Sequence, residues 1–185
     1  MPAVPRSAQS PGAPGGAPPD EPTLTHLDAS GRARMVDVTA KPFTHRRAMA
    51  RARVALPAGA LDALGTAAAP GAPCGNSLPA EATLEAARVA GIQAAKATAR
   101  LIPLCHPLAI SEVDVRCTLG ERCVEIEATC EVVGPTGIEM EALSACALAA
   151  LSVIAAAGPA DQAVRVETLD LFEKSGGRSG TWVRS

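Results

Sequence analysis

Apolar and polar residues alternate strictly through two neighbouring stretches of the chain. Val113, Val115, Cys117 and Leu119 fall on one side of the first, and Val124, Ile126, Ala128, Cys130 and Val132 on one side of the second. Period-2 alternation marks half-buried strands, and Leu119-Gly120-Glu121-Arg122 between them reads as the turn of a β-hairpin. The intervening Asp114, Arg116, Glu125, Glu127 and Glu131 form a solvated or subunit-contacting face. Helical periodicity appears on either side of the hairpin. Residues 82–100 repeat Leu84, Ala87, Gly91 and Ala95 on one face; residues 138–157 repeat Met140, Leu143, Ala147, Leu151 and Ile154, the stripe expected to be buried, and Gly158-Pro159 ends the pattern. Shorter strand-like runs cover 51–56 and 163–172. The order βαββαβ predicts an α+β, ferredoxin-like fold, an antiparallel sheet with two helices on one face. That arrangement hosts many activities and selects none.

The flanks read differently. Residues 1–22 have no apolar period and carry seven prolines, so a disordered extension is expected ahead of a single domain over 23–185. Residues 57–80 contain Pro70, Pro73 and Pro79 and are expected to form a long, mobile connection with a helical turn near 60–64. Composition narrows the function classes. Only 2% of the 185 residues are aromatic, which removes the stacking platform of single-strand nucleic-acid binders. A net charge of -2 offers no global field for a polyanion, so any anionic ligand needs a local basic cluster. Lysine is scarce: Lys41, Lys96 and Lys174 stand against fourteen arginines. Six cysteines without a CxxC pair and without a secretory signal fit reduced thiols in the cytoplasm better than disulfides or a structural zinc. The most apolar stretch, 142–157, carries Ser144 and Ser152 and reads as a buried helix rather than a membrane span.

Three segments carry candidate chemistry. Pro103 and Pro107 stiffen a loop around Cys105-His106; a histidine there can move protons, while the plainer reading is an imidazole bonded to a backbone carbonyl. A Cys–His nucleophile is disfavoured because neighbours on an extended backbone point apart. Glu139 and Glu141 open the second helix, where negative charge is favoured, but about 200° of helical rotation between them argues against one shared site. Lys174-Ser175-Gly176-Gly177-Arg178 puts two cations in a glycine-rich loop suited to phosphate, unlike a Walker loop, whose lysine follows its glycines. Arg46, Arg47, Arg51 and Arg53 add a basic run whose plainer reading is a solvated strand edge.

Taken together, Leu24-Thr25-His26-Leu27, Met35-Val36-Asp37-Val38, Ala90 to Lys96, Leu101 to Leu108, Thr136 to Leu143 and Lys174 to Gly180 resemble, in order and spacing, the molybdenum cofactor biosynthesis protein C (MoaC) family. The resemblance implies a lyase, cyclic pyranopterin monophosphate synthase, which converts 3',8-cyclo-7,8-dihydroguanosine 5'-triphosphate to cyclic pyranopterin monophosphate and releases diphosphate. It implies no cofactor or metal, a cytoplasmic homohexamer built as a trimer of dimers, and neither nucleic acid nor membrane as a partner. Carried over by position, His106, Lys174 and Glu141 would be catalytic. Arg46, Leu104, Cys105, His106, Glu139, Met140, Glu141 and Lys174 would bind substrate, with Arg46, His106 and Lys174 at the triphosphate. The family's catalytic aspartate and lysine fall on Ala155 and Gly158, which transfer no protons, and a further family lysine falls near Ala80. An impaired paralogue that binds nucleotide or a partner subunit is therefore the alternative expectation.

Overall fold

Ala48, Ala50, Ala52 and Val54 are buried while the residues between them are more exposed, and this alternation carries the first strand, β1, from Thr44 to Ala55. The computed structural model describes residues 26–28, 30–65 and 80–185. β1 begins seven residues before the predicted start at 51, because alanine is a weak apolar signal and His45, Arg46 and Arg47 obscure it. Helix α1 (Ala58–Gly65) follows, longer than the expected turn, then α2 (Ala80–Leu101), β2 (Glu112–Leu119), β3 (Cys123–Gly134), α3 (Glu139–Ala157), β4 (Arg165–Ser175) and β5 (Trp182–Val183). The expected extension 1–22 and the middle of the 57–80 connection lie outside the described residues.

All pairings are antiparallel and the sheet order is β2-β3-β1-β4-β5. The first four strands reproduce the ferredoxin-like order, and β5, unforeseen because it is two residues long, pairs Trp182 with Lys174. β1 is central rather than an edge. The hairpin matches expectation, with the Gly120 amide donating to the Cys123 carbonyl at 2.8 Å. Three helices pack on the sheet, with α3 against β1, β3, β4 and α2.

The stripe expected to bury α3 is the wrong one. Its buried residues include Ala142, Ala145, Cys146, Ala149 and Val153, whereas Leu151 is 53% exposed and Met140 38%. Close approach of α2 is the cause: a Cβ at Gly91 would lie 2.9 Å from the Ala145 carbonyl oxygen and 3.2 Å from Val115 Cγ1. Only small residues fit such a crossing, so the larger side chains turn outward. By length and composition α3 could cross a bilayer; here it lies on the sheet with Glu141 in the protein interior.

Candidate active site

The head of α3 gathers most of the candidates. After α2 the chain turns at Leu104, whose φ of 67° is a left-handed conformation costly for leucine and typical of functional turns. The turn lets Leu104, Cys105 and His106 line a cavity of about 160 Å³ together with Thr136, Gly137, Glu139, Met140 and Glu141, and with His26 from the N-terminal segment. His106 Nε2 lies 2.8 Å from the Val36 carbonyl oxygen. A carbonyl only accepts, so Nε2 carries the proton and Nδ1 is left as the acceptor of the neutral ring. The backbone-bonded reading of this histidine is met, and the ring also lines the cavity.

Glu139 and Glu141 share that cavity after all. The helix starts at Glu139, and its carboxylate folds back over Gly137, where any Cβ would collide with it. Interior helical geometry therefore does not apply to the pair. Glu141 is only 4% exposed; burial, with the nearby Glu139 charge adding, pushes its carboxyl up to about 7. Burial, and then the Glu141 charge, raises the Cys105 thiol, which disfavours a thiolate nucleophile.

Lys174 belongs to β4, which runs through Ser175 rather than ending at 172. Its Nζ lies 3.0 Å from Glu139 Oε1, a partly buried ion pair. Both line a narrow cavity of about 60 Å³ with Arg46, Gly137 and Ser179. Arg47 of the basic run also lines it, but only Arg46 is free of a carboxylate partner among the described residues: its Nε donates to the Gly134 carbonyl at 3.0 Å and its Nη2 to that of Pro135 at 3.3 Å. The other three are held in cross-strand ion pairs. Arg47 meets Glu131 and Glu173, Arg51 meets Glu127, and Arg53 meets Glu125 and Glu167. The basic run is thus mostly a neutralised ladder, and the concavity of about 520 Å³ over it holds little net charge.

Several lining residues had no role assigned from sequence: His26, Thr136 and Gly137 here, and Lys41, Thr44 and Ser179 in a neighbouring cavity of about 470 Å³ that also contains Arg46 and Arg178. The scarcity of lysine was the available signal for Lys41. Ala155 and Gly158 sit at the far end of α3, roughly 24 Å and 28 Å along the axis from Glu139 at about 1.5 Å per residue. Ala155 is exposed, and the Gly158 amide caps the helix by donating to the Ile154 carbonyl at 2.7 Å. Neither reaches this cavity within one chain.

The profile of the MoaC family matches residues 35–177. Cyclic pyranopterin monophosphate synthase of Thermomicrobium roseum is 50% identical over 163 residues, covering 87% of this chain and 93% of that protein. The synthase of Parvibaculum lavamentivorans is 45% identical over 161 residues, 86% of this chain and 95% of that protein. That of Streptomyces avermitilis is 41% identical over 182 residues, 98% and 99% of the two chains. The chain belongs to the MoaC family.

Proposed function

We propose that this chain is a cyclic pyranopterin monophosphate synthase, a lyase of molybdenum cofactor biosynthesis that rearranges 3',8-cyclo-7,8-dihydroguanosine 5'-triphosphate and releases diphosphate. The observation that carries the reading is Glu141: a carboxyl near neutrality, buried at the head of α3 in one cavity with His106 and with Glu139, the partner of Lys174. Such a group both donates and accepts protons near pH 7, as ring opening and closure require. In this reading Glu141 and the Nδ1 of His106 exchange protons with substrate, and Lys174 supplies positive charge or a proton where negative charge develops. Leu104, Cys105 and Met140 form the wall against the pterin. Substrate displaces Glu139 from Lys174 as it enters.

Association of several copies, a homohexamer in this reading, draws support from the apolar surface that one chain leaves uncovered, including Leu151 on α3 and Val166 and Leu169 on β4; the number six rests on the family resemblance. Five free thiols among the described residues suit a reducing cytoplasm. Ala155 and Gly158 favour a second reading, in which the chain binds nucleotide or a fuller partner chain without turnover. Incubation of purified protein with the cyclised triphosphate separates the two. The synthase reading expects product at a rate lowered by about 10²- to 10⁴-fold for a missing proton-transfer group. A folded protein forming none would support the second reading.

A further inference from the structure

We infer that Glu139 is a positioning residue whose charge is shared between Lys174 and Glu141, so that an anion engaging Lys174 leaves the Glu139 charge to hold a proton on Glu141. This rests on the anionic substrate proposed above and deepens that reading by adding regulation to the same site. Placement carries it. Among the described residues Glu139 is the only carboxylate that lines both the narrow cavity of Lys174 and Arg46 and the wider cavity of Glu141 and His106. Its carboxylate turns back over Gly137, where a Cβ would collide with it, and Oε1 lies 3.0 Å from Lys174 Nζ. Both partners are partly buried, so water and salt screen the pair less than a surface bridge. Glu141, two residues further on, is buried. Among the influences on its carboxyl burial comes first, its own backbone amide opposes, and the Glu139 charge adds to burial.

The other groups around Glu141 come from several elements. The loop after α2 brings Cys105 and His106, the N-terminal segment brings His26, and β3 brings Cys130. Among the described residues no charged side chain of α2, β1, β2 or β4 lines its cavity. A carboxylate held by an ammonium shows its neighbours little net charge. Once an anion takes the ammonium, the carboxylate acts on its neighbours in full, and a like charge beside a buried carboxyl favours the neutral form. Anion binding at Lys174 therefore draws a proton from solvent onto Glu141, and departure of the anion returns it. The acid is loaded when there is a substrate to receive the proton. Reciprocity follows, because the proton on Glu141 must strengthen anion binding at Lys174 by the same factor.

Carbon-13 NMR titration of the glutamate carboxyls in the full chain tests this, with the Glu141 signal identified by its loss in Glu141→Gln. The wild-type midpoint is expected at about 7. Lys174→Met should raise it by about 0.5 pH unit or more, and Glu139→Gln should lower it. In Glu139→Gln the effect of Lys174→Met should shrink, the coupling that a double-mutant cycle reads. Lys174→Arg keeps the charge and should leave the midpoint near that of wild type. Inorganic sulfate, which stays doubly charged through this range, should raise the wild-type midpoint and raise it less in Glu139→Gln. Equal effects of Lys174→Met or of sulfate with and without Glu139 would show cation and anion acting on Glu141 directly. A wild-type midpoint indifferent to both would show no link, and either result overturns the inference. The synthase reading fails separately, since the titration needs no turnover. Midpoints that move as described in a chain forming no product keep the linkage and remove the activity, while product with unmoved midpoints does the reverse.

Discussion

Glu141 concentrates the consequences at the scale of single residues. Its folded pKa, about 7, lies above the ordinary carboxyl value, so the folded state prefers the protonated form. The stabilisation this gives is fully present below about pH 4.5 and is lost as pH rises through about 7, a span worth at most about 3 kcal/mol. Urea denaturation at pH 5 and pH 8 should show wild type losing stability over that interval and Glu141→Gln losing less; parallel curves would contradict the assigned burial. The same variant should lower turnover by about 10²- to 10⁴-fold. Residue types at this site were legible in the sequence because Cys105-His106, Glu139, Glu141 and Lys174 stand in distinctive local strings. Their convergence was implied by the family resemblance but not by helical geometry, since Glu139 bends back over Gly137 in a way no helical-wheel count contains. Thr44 was missed because a hydroxyl in isolation has no distinguishing neighbour.

At the scale of elements, the crossing of α2 and α3 governs how the site is presented. Gly91 lets the two helices approach, and Ala142, Ala145 and Ala149 keep the contact thin. Gly91→Ala places a Cβ 2.9 Å from a backbone carbonyl and should cost about 1–3 kcal/mol, read as a lower urea midpoint with an unchanged slope; a neutral result would show that the helices separate freely. Periodicity located α2 and α3 to within two residues and mis-assigned the buried face of α3, because this helix is apolar all round and ranking by side-chain size selects the outward stripe. The start of β1 was hidden for the related reason that alanine alternates quietly with arginine. At the far end of α3, Ala155→Asp sits at an exposed position and should raise turnover without loss of stability. Gly158→Lys is less benign: a Cβ there would come 2.7 Å from the Ile154 carbonyl oxygen, so the helix end must shift to accept it. Steady-state rates and melting temperatures of the two single variants check both statements.

For the whole molecule, assembly is the part of the proposal that solution mass tests, and Ala155 at the far end of α3 lies outside the cavity that holds Glu141 in one chain. Leu151, Val166 and Leu169, exposed in the single chain, are the surface proposed for assembly. Light scattering should report a mass several times 18.7 kDa for wild type, and Leu151→Arg with Leu169→Glu should shift it toward the monomer and reduce turnover together. A monomeric, fully active wild type would refute that link. The ferredoxin-like order was legible because each long element has a clean period and the order of elements admits few topologies; β5 was too short to leave a pattern. The most direct measurement is product formation from purified chain and the cyclised guanosine triphosphate. Cyclic pyranopterin monophosphate and diphosphate should appear in equal amounts, slowly, and in a manner abolished by Lys174→Ala. Absence of product from folded, assembled protein, or product unaffected by loss of Lys174, would contradict the account.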